Sequence, residues 1–198
     1  MKKEVIILLH EIYGVNEFIR KQSEKWMQWG YDVVCVDFYQ KTAFSYKETD
    51  VAYSYFMEMV GFERYTEISD MIDELKKRYE KVWVMGYSVG ATMAWRCCEN
   101  LNCDGIIACY GSRIRNYMGL HPVCPVLLLF AEQDSFPVAE VAERIKNTTC
   151  ANVFLYPAEH GFMDGYSGHY HAECAERAEE EMKRFLFQFI SIDKQQFV

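Results

Sequence analysis

Six short apolar runs, none of which alternates with polar residues, constrain the fold of this chain more than any other feature. Strands that are buried on both faces of a parallel sheet have this composition, because neither face meets water. Segments with helical spacing, such as the one that carries Ile68, Ile72 and Leu75, separate the runs. This alternation predicts a doubly wound, mostly parallel α/β sheet with right-handed crossovers. The runs span residues 5–9, 33–36, 82–85, 105–109, 126–130 and 153–156.

The length and composition favour one globular domain over residues 1–198. The chain contains no repeat, no low-complexity stretch and no linker rich in proline or glycine. Apolar residues make up 51% of the chain and charged residues 25%, which is usual for a globular protein. We therefore expect a single domain with a sizeable core.

Charge, cysteine spacing and hydropathy exclude several classes of partner. The net charge is −8 and no basic stretch stands out, so we expect no nucleic-acid partner. The eight cysteines form no C-x-x-C pair, which predicts free thiols in a reducing cytoplasm and no metal site. No segment approaches the ~20 apolar residues of a membrane span, and neither G-x-G-x-x-G nor a P-loop is present. We expect a cytoplasmic protein with no cofactor and no membrane contact.

The segment VWVMGYSVGATMAW raises a question about Ser88, which stands between Gly86 and Gly90 where a strand becomes a helix. Either Ser88 caps the helix, or it is a nucleophile at the carboxyl edge of the sheet. Two glycines would let the strand and the helix approach closely around a strained turn. The pentapeptide G-x-S-x-G in this context favours a nucleophile elbow.

A serine nucleophile needs a base and an acid that orients the base. In sheets with such an elbow, the two follow in the order serine, acid, histidine. Asp134 comes just after the fifth apolar run and His160 just after the sixth. Their alternative roles are a helix cap for Asp134 and a surface loop residue for His160. Because both stand at strand ends in the required order, we predict a Ser88, Asp134, His160 triad.

An oxyanion hole is also required, and its two amides should come from Val89 and Ile12. Val89 follows the nucleophile, and Ile12 lies in the loop after the first strand. Glu11 precedes Ile12, and a carboxylate directly after a buried strand is costly unless it is paired. Its partner could be Ser88, an arginine or only water.

Four ordered segments resemble the motifs of the dienelactone hydrolase family. They are HEIYGVNEFIRKQSEKWMQWGYDVVCVDFY, GYSVGATMAW, AEQDSFPV and YPAEHGFMD, and the match covers nearly the whole chain. The resemblance implies an α/β-hydrolase fold and hydrolysis of a small ester or lactone through an acyl-enzyme. It also implies that Glu11 lies beside the nucleophile and modulates its protonation. Because the chain begins almost at the first motif, we expect about six strands and no leading edge strands.

The chain departs from the family type at the nucleophile and on the substrate side. The type enzyme has a cysteine where Ser88 stands, and arginines that bind a substrate carboxylate where Thr49 and Asp164 stand. Tyr53 matches a substrate-side tyrosine. Tyr39 is among the aromatic residues of segment 38–62 that we expect to cover the site, and the alternative is that half or more of them belong to the core. Without the two guanidinium groups, we expect a short uncharged ester to be preferred.

Two other functions remain open at this stage. One is acyl transfer or thioester cleavage on the same triad, because the acceptor depends on pocket shape. The other is a binding protein that has kept the fold and lost turnover. The oligomeric state and the natural substrate do not follow from the sequence.

Overall fold

All six apolar runs form strands of one parallel sheet in the computed structural model, which describes residues 4–191. The predicted fold class and strand number are thereby confirmed. The strands follow the spatial order β2-β1-β3-β4-β5-β6. They are β1 (Glu4–Leu9), β2 (Asp32–Val36), β3 (Lys81–Tyr87), β4 (Gly105–Cys109), β5 (Val126–Gln133) and β6 (Asn152–Glu159).

Within residues 4–191, six α-helices cover the two faces of the sheet. The sequence pattern indicated five of them and missed α2, a helix that buries only Ala52 and Phe56 and therefore shows little apolar periodicity. Three 3-10 helices lie in the connections, including Tyr46–Glu48 and Ser112–Asn116. The α-helices are α1 (Glu17–Gln28), α2 (Thr49–Met59), α3 (Tyr65–Lys76), α4 (Val89–Arg96), α5 (Val138–Thr148) and α6 (Ala172–Ser191).

Alternate residues of each strand point into two separate cores. Ile7 and its neighbours on one face pack with buried residues of α2, α3, α4 and α5. Ile6 and its neighbours on the other face pack with α1 and α6. Both faces are apolar because helices cover both, which explains the uninterrupted apolar runs.

The strand order reverses between β1 and β3, and this reversal locates the site. The chain leaves β1 for β2 on one side and then returns to place β3 on the other side. Leu9 at the end of β1 pairs with Gly86 near the end of β3. In open parallel sheets, the crevice at the carboxyl ends of the strands flanking such a reversal is the usual ligand site.

No helix within residues 4–191 combines the length and the apolar character that crossing a membrane requires.

Candidate active site

Ser88 occupies a sharp turn between the last residue of β3 and the first residue of α4. Its backbone has φ 54° and ψ −113°, a conformation that costs a serine about 1–3 kcal/mol. Its side chain makes no capping hydrogen bond to the helix, so the capping alternative has no support in the geometry. The turn instead directs Ser88 toward the carboxyl edge of the sheet, where its hydroxyl meets a histidine.

The two flanking positions must be glycine because neighbouring backbone atoms leave no room for a Cβ atom. A Cβ atom at Gly86 would lie 2.2 Å from the carbonyl oxygen of Gly90, and one at Gly90 would lie 2.6 Å from the carbonyl oxygen of His10. Real Cβ atoms do not approach other atoms so closely. The glycines therefore let α4 begin directly against the ends of β1 and β3.

The predicted nucleophile, base and acid form one hydrogen-bonded chain. Ser88 Oγ lies 2.9 Å from His160 Nε2, and His160 Nδ1 lies 2.7 Å from Asp134 Oδ2. The His160 amide donates to the carbonyl of Gln133 at 3.1 Å, which ties the loop after β6 to the end of β5. The ends of three strands thus bring the three side chains together.

Asp134 is held as the charged member of this chain. Burial acts to raise its pKa, but the hydrogen bond and charge of His160, together with the hydrogen bonds from Ser135, leave the pKa below its usual value. The backbone amide of Ser135 also donates to Asp134, at 2.6 Å. An ionised Asp134 can orient the imidazole so that Nε2 faces Ser88.

The two amides expected to form the oxyanion hole belong to residues that line one cavity with Ser88. Val89 begins α4, and Ile12 lies in the turn after β1. The hydroxyl of Tyr39 donates to the carbonyl of Ile12 at 2.7 Å and so fixes the orientation of this turn. Gly14, with φ 85°, completes the turn, and its amide donates to the carbonyl of Glu11.

Two buried carboxyl groups lie beside the triad. Asp164 accepts from the hydroxyl of Tyr46 at 2.5 Å and from the amide of Tyr166 at 2.9 Å. Glu11 is buried as well, and no cationic side chain within residues 4–191 lowers its pKa. Burial, helped by the charge of Asp164, raises the pKa of Glu11 to about 8, and the nearby Tyr110 hydroxyl opposes the rise only in part. Burial also raises the pKa of Asp164, although its hydrogen bonds oppose the effect. Glu11 is therefore protonated at neutral pH.

A cavity of about 650 Å³ lies above the triad. Nine of the ten residues singled out in the sequence line it, and Tyr39 does not. The nine are Glu11, Ile12, Thr49, Tyr53, Ser88, Val89, Asp134, His160 and Asp164.

Tyr39 and most of the expected aromatic cover do not line the cavity, and the core alternative describes them better. Tyr39 is 7% exposed and supports the wall from behind through its bond to Ile12. Phe44, Tyr55 and Phe56 pack with the core under α2 and α3. Of the aromatic residues in segment 38–62, only Tyr53 lines the cavity. Most of the large aromatic side chains in this segment pack in the core. A sequence pattern cannot distinguish such residues from residues that line a pocket.

Two residues of the site carried no sequence signal. Tyr110 has φ 44° and its ring packs edge-on against His160 with ring centroids 5.1 Å apart. Arg113 lies in the 3-10 helix after β4 and lines the cavity. Both directly follow β4, a strand end to which the sequence analysis assigned no function.

The sequence and the fold of this chain are similar to those of known proteins. The chain is 35% identical to an uncharacterised protein, YczH, of Bacillus subtilis, over 82% of each chain. It is 26% identical to a carboxymethylenebutenolidase of Pseudomonas putida, over 92% of this chain and 84% of that protein. The fold is similar to that of the Pyrococcus furiosus esterase PF2001, with a TM-score of 0.64 at 18% identity, over 93% of this chain and 81% of that one.

The model of the dienelactone hydrolase family matches residues 1–190, which is nearly the whole chain. The four motifs noted in the sequence fall at the ends of β1, β3, β5 and β6, in the order that the family resemblance implied. On this match, the chain belongs to the dienelactone hydrolase family.

Proposed function

We propose that this protein hydrolyses a small carboxylic ester or lactone through an acyl-enzyme on Ser88. The observation that supports it most directly is the continuous hydrogen-bonded chain from Ser88 through His160 to Asp134, at 2.9 and 2.7 Å. Its position in a cavity of about 650 Å³ leaves room for a small substrate. The carboxymethylenebutenolidase relatives share the ester and lactone chemistry that we propose here.

In the first half-reaction, Ser88 Oγ attacks the acyl carbon and His160 Nε2 takes the hydroxyl proton. The carbonyl oxygen becomes an oxyanion, and the amides of Ile12 and Val89 stabilise it by about 3–4 kcal/mol per donor. The bond from the acyl carbon to the leaving oxygen then breaks, and His160 gives its proton to that oxygen. The product is the free alcohol and an ester on Ser88.

In the second half-reaction, a water molecule attacks the acyl carbon and His160 takes one of its protons. The bond to Ser88 Oγ breaks, and the serine recovers the proton from His160. A lactone follows the same steps, except that its alcohol stays attached to the acyl group.

Substrate contacts in this proposal come from Tyr53 and Thr49 on α2 and from Asp164 after β6. Tyr53 and Thr49 are one helical turn apart and line the same wall. Protonated Glu11 adds no negative charge beside the attacking oxygen, so it leaves Ser88 free to deprotonate toward His160.

Labelling with a fluorophosphonate probe, followed by intact-mass measurement and peptide mapping, tests the proposal. We expect one adduct, on Ser88, and no adduct on Ser88→Ala. Ser54→Ala, which changes an exposed serine of α2, is the matched control and should label fully. A folded native protein that takes no label, or that labels elsewhere, would contradict the proposed nucleophile.

A further inference from the structure

Arg113 places a guanidinium group in the wall of the cavity. It lies in the 3-10 helix Ser112–Asn116, which packs against α4 and follows β4 directly. Its Nη2 donates to the hydroxyl of Tyr53 at 2.5 Å. Arg113 is the only lysine or arginine among the described residues that line the cavity.

No carboxylate neutralises this guanidinium within residues 4–191. Tyr53, a neutral phenol, accepts the one hydrogen bond that Arg113 donates there. A guanidinium carries five N–H donors in a planar fork that matches a planar two-oxygen acceptor. A half-buried arginine is usually paired with such an acceptor. Because Arg113 donates only to Tyr53 among the described residues, the other N–H groups of its fork are left for a ligand.

The acidic groups that line the cavity have partners other than Arg113. Asp134 bonds to His160, and Glu159 bonds to His169. Asp164 accepts from Tyr46, and the raised pKa of Glu11 keeps that group protonated at neutral pH. None of these groups reaches Arg113, so its positive charge faces the cavity.

We propose that Arg113, oriented by Tyr53, binds a single negative charge on the ester or lactone substrate and thereby determines its specificity. This inference rests on the proposed function of the Ser88 site. One guanidinium balances one charge, so a monoanionic group fits better than a dianion, whose second charge would be unpaired in a cavity that Asp134 and Glu159 also line.

The inference reverses the expectation of an uncharged substrate. That expectation was based on the absence of guanidinium groups at Thr49 and Asp164. The structure supplies one from the loop after a different strand, β4, so the anionic end of a substrate would be directed toward α2 and the 3-10 helix rather than toward residue 164.

A matched pair of substrates tests this inference. The mono-4-nitrophenyl ester of glutarate carries one charge at the far end of its acyl group, and the corresponding methyl diester carries none. The ratio of kcat/KM for the anionic ester over the neutral ester should exceed 1 in the native protein. Arg113→Gln should lower this ratio about 10- to 100-fold, since it removes a charge-assisted pair.

Arg115→Gln is the control, because Arg115 belongs to the same 3-10 helix but stacks on Phe136 and does not line the cavity. Its ratio should equal that of the native protein. Arg113→Lys keeps the charge but not the planar fork, so its ratio should lie between the native and Arg113→Gln values. If Arg113→Gln does not fold, the ratio measured for Arg113→Lys tests the inference in its place.

The outcomes separate this inference from the function on which it rests. Hydrolysis of the neutral ester, with the same ratio in native, Arg113→Gln and Arg113→Lys proteins, overturns the role of Arg113 and leaves the hydrolase proposal standing. Hydrolysis of neither ester by the folded native protein overturns the proposed function, and the inference falls with it.

Discussion

At the scale of single residues, the site combines one residue with a strained backbone and one carboxyl group with a raised pKa. Ser88 holds a left-handed backbone conformation, and Glu11 holds a carboxyl group that ionises only near pH 8. Both conditions lower the stability of the folded chain, and both occur where the hydrogen-bonded chain of Ser88, His160 and Asp134 lies.

Asp134→Asn should lower kcat by a factor on the order of 10³–10⁴, because an amide can hold His160 in the tautomer that cannot accept the serine proton. The substitution keeps nearly the same volume, so KM should change little. Steady-state kinetics on a 4-nitrophenyl ester measures both. A kcat within tenfold of the native value would contradict the assignment of Asp134 as the acid of the triad.

Glu11→Gln should stabilise the protein, and the gain should grow with pH. The unfolded chain loses the Glu11 proton near pH 4.5, whereas the folded chain keeps it to about pH 8. The folded state therefore binds more protons in this window, and the free energy of unfolding falls as pH rises through it. The lost stability is on the order of 4 kcal/mol at pH 8 and is absent below pH 4.5.

Urea denaturation at pH 5 and pH 8 measures this effect. The difference in unfolding free energy between Glu11→Gln and the native protein should be larger at pH 8. Glu58→Gln, at an exposed position of α2, is the control and should show no such growth. A difference that is equal at both pH values would mean that Glu11 is already ionised in the folded protein.

At the scale of elements, the contact between β1 and α4 determines the position of Ser88. Gly90, in the first turn of α4, lies against the backbone of Leu9 and His10 at the end of β1. Because the neighbouring atoms belong to the backbone, a larger residue at this position can be accommodated only if the helix moves away. The helix carries Ser88 at its start, so Ser88 would move with it while His160 and Asp134 stay in place.

Gly90→Ala should therefore lower the unfolding free energy by about 2 kcal/mol or more and lower kcat/KM by at least tenfold. Gly119→Ala is a matched control, since nothing lies within 4 Å of a Cβ atom at that position. Denaturation and ester kinetics on both variants test the prediction. If Gly90→Ala has the unfolding free energy and kcat/KM of the native protein, the close contact between α4 and β1 does not determine the position of Ser88.

At the scale of the whole molecule, the strands and the meeting of Ser88, His160 and Asp134 could be predicted from the sequence, but the substrate-facing wall could not. Burial on both faces of the sheet gives the strands an uninterrupted apolar composition, and the fold fixes the strand ends at which Ser88, Asp134 and His160 stand. The side-chain direction of Tyr39 depends on its bond to Ile12. Arg113 lies in a 3-10 helix whose residues carry no periodic signal, so neither residue could be placed from the pattern.

Distant parts of the chain meet at Tyr46, which connects the segment before α2 with the loop after β6. Its hydroxyl donates to Asp164 at 2.5 Å and accepts from the side chain of Asn16 at 3.0 Å. Asn16 in turn caps α1 by accepting from the amide of Ile19. One phenol therefore joins segments that are 30 and 118 residues away along the chain.

Tyr46→Phe should lower the unfolding free energy by about 1–3 kcal/mol, because it leaves the buried carboxyl of Asp164 without its side-chain donor. The loss should be smaller in an Asp164→Asn background, since a neutral amide is less costly to leave unpaired. A double-mutant cycle by urea denaturation measures the coupling. Additive losses would mean that the two groups do not interact in the folded protein.

The order of the triad along the chain has a consequence for biosynthesis. Ser88 and the turn that holds it are complete in the first half of the sequence, whereas His160 follows the last strand. A nascent chain that has not yet reached residue 160 contains the nucleophile but has no general base for it. If Ser88 is the nucleophile, as proposed above, hydrolytic activity therefore arises only when β6 has been synthesised and has paired with β5, so a chain stalled on the ribosome before that point stays inert toward cellular esters.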